Sequence, residues 1–168
     1  MYWDLRQSFP FYGAYHSDWR NQLIHVLFVP AIFSTSLRFA SSVQLGWGVS
    51  LSDLTALLYG LSFLKMEFVA GLLYLPFVFG MHYFGTTVLK DHLHFAIALH
   101  VSGWLCQFFG HYIEGRRPAL FDDLPRALHA AVFFVWLEVL FFFGYKPQLK
   151  TELENAVVAY QRKNFGRK

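Results

Sequence analysis

The chain carries eight histidines among 168 residues, of which only 15% are charged. Several histidines interrupt strongly apolar stretches, where an ionisable side chain is costly and counts by default as a functional candidate. Two groups have spacing that could support chemistry. In His16-Ser17-Asp18-Trp19-Arg20-Asn21-Gln22-Leu23-Ile24-His25, Asn21 and His25 stand four residues apart and share one helix face. His16 precedes that helix and can fold over its first turn. In the second group, His100, Gln107, His111 and Glu114 follow at intervals of seven, four and three, which places them on one stripe of a helix. Imidazole suits iron, zinc, copper or nickel, and a carboxylate adds a harder ligand. Two or three histidines with a carboxylate at one membrane face would leave coordination positions open. The same residues could instead form a polar bundle interior that bonds helices together, with His16 and Asn21 ordering a cap and loop. Arg116 and Arg117 could clamp an acidic head group through bidentate bonds, or serve as interfacial anchors.

The remaining polar residues are weaker candidates. His82, His92 and His94 read as structural or interfacial, His129 as peripheral, and Glu138 as a carboxyl that must be paired or protonated. No GxGxxG, P-loop or GxSxG is present, and the HxxxH and HxxHH boxes of membrane desaturases are missing. The single Cys106 excludes an intramolecular disulfide framework and a CxxC metal site.

The elements that must position these groups belong to a membrane protein. Apolar residues make up 55% and aromatics 20%, and the charged share is well below the roughly 25% of ordinary globular chains. Twenty Phe are too many for one small core, so lipid is expected to cover much of the apolar surface. Half of the 14 Lys and Arg lie in the last 43 residues. Such a tail suits anionic headgroups rather than nucleic acid. No signal peptide is visible.

The expected fold is all-α: a multi-pass membrane helix bundle of about five apolar helices plus a C-terminal amphipathic helix, in one domain over residues 1–168. Residues 1–17 read as an interfacial lead-in, broken by Pro10 and Gly13. Ser17 or Asp18 can cap a helix over about 19–39, with Pro30 as a kink. Residues 40–53 read as a loop. Residues 54–64 form an apolar helix short of the about 20 residues a full span needs. Helices follow over 68–89, 95–112 and 128–145, then a charged amphipathic helix over 149–163 within a basic surface tail, 146–168. If every apolar segment up to Tyr112 crosses, His111 and Glu114 return to the face that carries His16, Asn21 and His25. If 54–64 does not cross, the groups part, so convergence favours crossing. Five crossings would leave His82, His92, His94 and the basic tail on the opposite face.

The pattern Tyr15-His16-x4-Asn21-x3-His25-x4-Pro30, with Trp104-x2-Gln107-Phe108-x-Gly110-His111-x2-Glu114-x-Arg116-Arg117-Pro118-Ala119-Leu120 downstream, resembles a known family. This is the family of small membrane proteins typified by the yeast 2-hydroxy fatty acid dioxygenase of phytosphingosine breakdown. The resemblance covers nearly the whole chain. It implies an Fe(II)-dependent dioxygenase of α-oxidation that uses O₂ to shorten a 2-hydroxy fatty acid by one carbon. It further implies His16, His25 and His111 as metal ligands, with Glu114 or His100 completing or orienting the set. Asn21 and Gln107 would support the ligands, and Arg116 or Arg117 would meet the substrate carboxylate. The protein would be integral to the endoplasmic reticulum membrane in a eukaryote or the inner membrane in a bacterium. A membrane scaffold or lipid-binding protein with structural histidines is the alternative.

Overall fold

The computed structural model describes residues 4–166. It is almost wholly helical, as the hydropathy pattern requires. The helices are α1 (Leu5–Ala14), α2 (Trp19–Ala40), α3 (Leu51–Met66), α4 (Phe68–Tyr83), α5 (Leu93–Glu114), α6 (Leu124–Phe142) and α7 (Pro147–Phe165). A π-helical stretch, Phe84–Val88, extends α4, and a 3₁₀ turn, Ala119–Phe121, precedes α6. The expected loop over 40–53 contains a two-stranded antiparallel hairpin, β1 (Gln44–Gly46) with β2 (Val49–Ser50). Four helical stretches are long and apolar enough to cross a membrane: Trp19–Ala40, Phe68–Val88, Leu93–Glu114 and Leu124–Phe142.

The chain divides into two compact units. One is continuous, Leu27–Gln107. Within it, Ser50 and Asp53 form a capping box that starts α3. The Asp53 carboxylate also stands 2.9 Å from His82 Nε2, which ties the start of α3 to the end of α4. The two helices approach closely at Gly71, where a Cβ would lie 2.6 Å from the Phe63 backbone. Arg38 donates to the carbonyls of Leu89 and Lys90 at 2.9 and 2.6 Å, so the end of α2 holds the turn before α5.

The other unit joins the residues up to Val26 with those from Phe108 onward. It packs α1 against both α6 and α7. Phe9 meets Phe134 and Phe141 edge-on, at centroid distances of 5.1 and 6.1 Å. Residues 5–14 are a helix whose aromatics form its packing surface, with Phe9, Phe11 and Tyr12 all buried.

α7 lies along α1 and reaches the turn before α2, where Gln161 donates to the Ala14 carbonyl at 3.2 Å. α6 is long and apolar enough to span a membrane, and none of its residues from 129 to 141 is exposed, whereas α4 and α5 show apolar residues throughout.

Candidate metal centre

His16 sits where α1 hands over to α2. α1 ends at Ala14, and the Asp18 carboxylate accepts from Arg20 N at 2.9 Å to start α2. The Arg20 guanidinium, and then that bond, hold the half-buried Asp18 carboxyl down to about 2. His16 lies between these helices, His25 lies in the second turn of α2, and His111 lies in the last turn of α5. All three side chains are buried, each residue 4% exposed. Each offers a ring nitrogen, and the three nitrogens fall within 4.8 Å of one another. Ring centroids are 4.3 Å apart for His16–His25, 4.8 Å for His16–His111 and 5.1 Å for His25–His111.

Hydrogen bonding decides which atoms face the centre. His16 Nδ1 is 2.8 Å from the Tyr12 carbonyl and His25 Nδ1 is 2.9 Å from the Asn21 carbonyl. A carbonyl only accepts, so each Nδ1 carries the proton and each Nε2 presents a lone pair. The two Nε2 atoms are 3.0 Å apart. Facing lone pairs at that distance leave a place for a shared cation. A proton is disfavoured on His16: burial, then the neighbouring His25 and His111, hold its pKa well below the ordinary value. A metal ion suits the donors better. His111 Nδ1 is likewise buried without a hydrogen-bond partner. Three neutral imidazoles, two with the other nitrogen anchored on a carbonyl, thus fit a divalent transition metal.

Glu114 braces this centre. Its Oε1 accepts from Ser17 N at 2.7 Å and its Oε2 accepts from Asn21 Nδ2 at 2.6 Å. The carboxylate thereby ties the His16 turn to the helix face that carries His25. Asn21 is fully buried, and Gly110 makes room for it: a Cβ there would collide with Asn21 Oδ1. Gln22 Nε2 holds the His16 carbonyl at 2.9 Å. Tyr12 stacks on the His16 ring, with centroids 3.9 Å apart and planes 13° from parallel.

His100 belongs to the continuous unit, where both its nitrogens are engaged: Nδ1 with Thr35 Oγ1 at 2.8 Å, and Nε2 accepting from Trp104 Nε1 at 3.0 Å. Gln107, one turn before His111 on α5, is buried with no partner for Nε2. Arg116 donates to the Ala14 carbonyl and lies 3.8 Å from Glu114. Arg117 pairs with Asp122 at 2.5 Å, and Asp122 accepts from Tyr15 Oη at 2.6 Å. Tyr12 and Gln161 were not expected at the site. Tyr12 had a signal, four residues before His16 on a helix, that the broken lead-in obscured.

Fold and site together define a class: helical proteins with several helices long and apolar enough to span a membrane and three buried histidines that could hold a metal ion. Comparison narrows it. The model of the family described as "2-hydroxy-palmitic acid dioxygenase Mpo1-like" matches residues 2–143. The chain is 35% identical over 166 residues to the 2-hydroxy-palmitic acid dioxygenase MPO1 of Saccharomyces cerevisiae, a match that covers 95% of this chain and 92% of that protein. The chain belongs to the Mpo1-like family. No solved structure matches.

Proposed function

We propose that this chain is an Fe(II)-dependent dioxygenase that shortens 2-hydroxy fatty acids by one carbon. The facing Nε2 lone pairs of His16 and His25, with His111 beside them, carry the reading within this family. One 2-hydroxy acid and one O₂ give the shorter acid, CO₂ and water. All the electrons that O₂ accepts come from C1 and C2 of the substrate, so no external reductant enters. Fe(II) would supply open coordination positions and the one-electron chemistry that O₂ requires.

His16, His25 and His111 are the ligands in this reading. Being neutral, they leave the ion's charge available to an anionic 2-hydroxy-carboxylate head group. Glu114 and Asn21 orient the His16 turn against α2, a positioning role. Gln107 offers a buried N–H on the His111 face of α5. Arg117, held only through the partly exposed Asp122, is the arginine placed to meet a carboxylate arriving from outside. The acyl chain enters from the bilayer, in the endoplasmic reticulum of a eukaryote or the inner membrane of a bacterium.

The test is an O₂-uptake assay on 2-hydroxypalmitate without added reductant. O₂ consumed, CO₂ released and shortened acid formed should be equimolar, and His16→Ala, His25→Ala and His111→Ala should abolish turnover. Full activity in those variants, or a requirement for an electron donor, would overturn the proposal.

A further inference from the structure

α7 begins beyond residue 143, where the family model ends, and its composition is that of a surface helix. Its contacts say more. α1 ends at Ala14, whose carbonyl is one of the acceptors a helix C-terminus leaves without a partner inside the helix. Ala14 is fully buried, so water cannot serve that carbonyl and donors must come from elsewhere in the chain. Two do. Arg116, just past the end of α5, supplies one. Gln161 of α7 supplies the other, with Nε2 at 3.2 Å. The same Nε2 donates to Ser17 Oγ at 2.8 Å, and Ser17 Oγ donates to the Gly13 carbonyl at 3.4 Å. Gln161 thus spans the residues on both sides of His16.

The rest of α7 is fitted to that contact. Leu153 is buried at 1% exposure. Val157 sits so close over α1 that a Cβ on Gly13 would lie 2.6 Å from Val157 Cγ2. Past Gln161, Phe165 meets the Tyr15 ring edge-on at 5.2 Å and lies 5.6 Å from the Arg116 guanidinium. The far end is tied by Arg6 and Glu152, at 2.6 and 3.2 Å, an exposed pair remote in sequence from the His16 turn.

We infer that α7 is a strap for the metal centre and that Gln161 is a positioning residue, holding the Ala14–Ser17 turn so that His16 Nε2 meets His25 Nε2. The inference rests on the metal reading of the three histidines. Docking of α7 and retention of the ion are then coupled, and the coupling is reciprocal: the ion steadies α7 as α7 steadies the ion.

The test loads full-length protein with Fe(II) under anaerobic conditions and follows ion release to a chelator. Gln161→Glu keeps the size but removes the donor. Gly13→Ala leaves Gln161 in place but drives Val157, and with it α7, off α1. Both should release Fe(II) faster by roughly tenfold, the low end of what supporting partners contribute to metal affinity. Arg6→Ala, which breaks only the exposed pair, should stay within about twofold of wild type. Hydrogen exchange supplies the reciprocal reading: amides around Gln161 should exchange more slowly with Fe(II) than without. The two variants differ in kind, so if one fails to fold the other decides. Wild-type release rates in Gln161→Glu or Gly13→Ala, or α7 exchange indifferent to Fe(II), would overturn the strap alone. A wild-type chain that retains no Fe(II) would overturn the metal reading and the strap with it.

Discussion

Glu114→Gln separates a brace from a ligand or a general base. The wild-type carboxylate accepts twice, from Ser17 N and from Asn21 Nδ2, and its side chain is only 4% exposed. A glutamine keeps one accepting oxygen for Ser17 and turns an NH₂ toward Asn21. Asn21 Oδ1 has no partner of its own, so the Asn21 amide can rotate and accept from that NH₂. Both contacts survive, weakened from charge-assisted to neutral. Hydrogen bonds to charged groups contribute about 1.5–3 kcal/mol and neutral ones about 0.5–1.5, so the two exchanges together cost about 2 kcal/mol. Glu114→Ala removes both acceptors and leaves the Ser17 N–H and the Asn21 amide without partners, at about 1–3 kcal/mol each. Thermal unfolding and iron content of the two variants, measured side by side, are the assay. Glu114→Gln should remain folded, hold iron and turn over within roughly thirtyfold of wild type, the rate equivalent of about 2 kcal/mol. Glu114→Ala should be visibly destabilised and lose most of its iron. If Glu114→Gln is as devoid of iron or activity as His25→Ala, the carboxylate acts on the metal or the substrate, and the brace argument fails.

Three further outcomes follow from the geometry. Gly110→Ala places a Cβ against Asn21 Oδ1 and should lower stability by about 1–3 kcal/mol, as overpacking does, with loss of iron; an unchanged melting temperature would contradict the fit. His16 is neutral in the fold because burial and its neighbours lower its pKa well below the ordinary value, while the unfolded chain protonates near 6.5. The unfolded state therefore binds more protons as pH falls, and this contribution to stability is complete above about pH 6.5 and declines below it, toward the depressed folded value. Melting temperature and iron content should both fall as pH drops from about 6.5 toward about 5; flat profiles would argue against a buried neutral His16. Finally, tags at the two termini should be accessible from the same face of sealed vesicles, since α7 rejoins the His16 turn and its Glu152, Glu154, Arg162 and Lys163 would be costly in lipid; opposite faces would contradict this.

The site was legible where its residues share one element. Asn21 and His25 declared a common face by their four-residue spacing, and His111 and Glu114 did so at the end of an apolar helix. Periodicity also placed α2, α4 and α5 to within a few residues. His100 fitted the same stripe, yet the stripe runs through the other unit before reaching the centre, and there Thr35 and Trp104 engage both ring nitrogens. Spacing along a helix says which residues share a face and nothing about how far along it a site extends. Gln161 left no trace at all, because a single donor reaching a carbonyl 147 residues away has no period to follow.

The account stands on an ion held by His16, His25 and His111. Elemental analysis of freshly purified full-length protein, beside His25→Ala prepared in the same way, tests this most directly. Iron close to one per chain in the wild type and none in the variant is the expected result. A wild type that shortens 2-hydroxypalmitate at full rate while free of iron would contradict it.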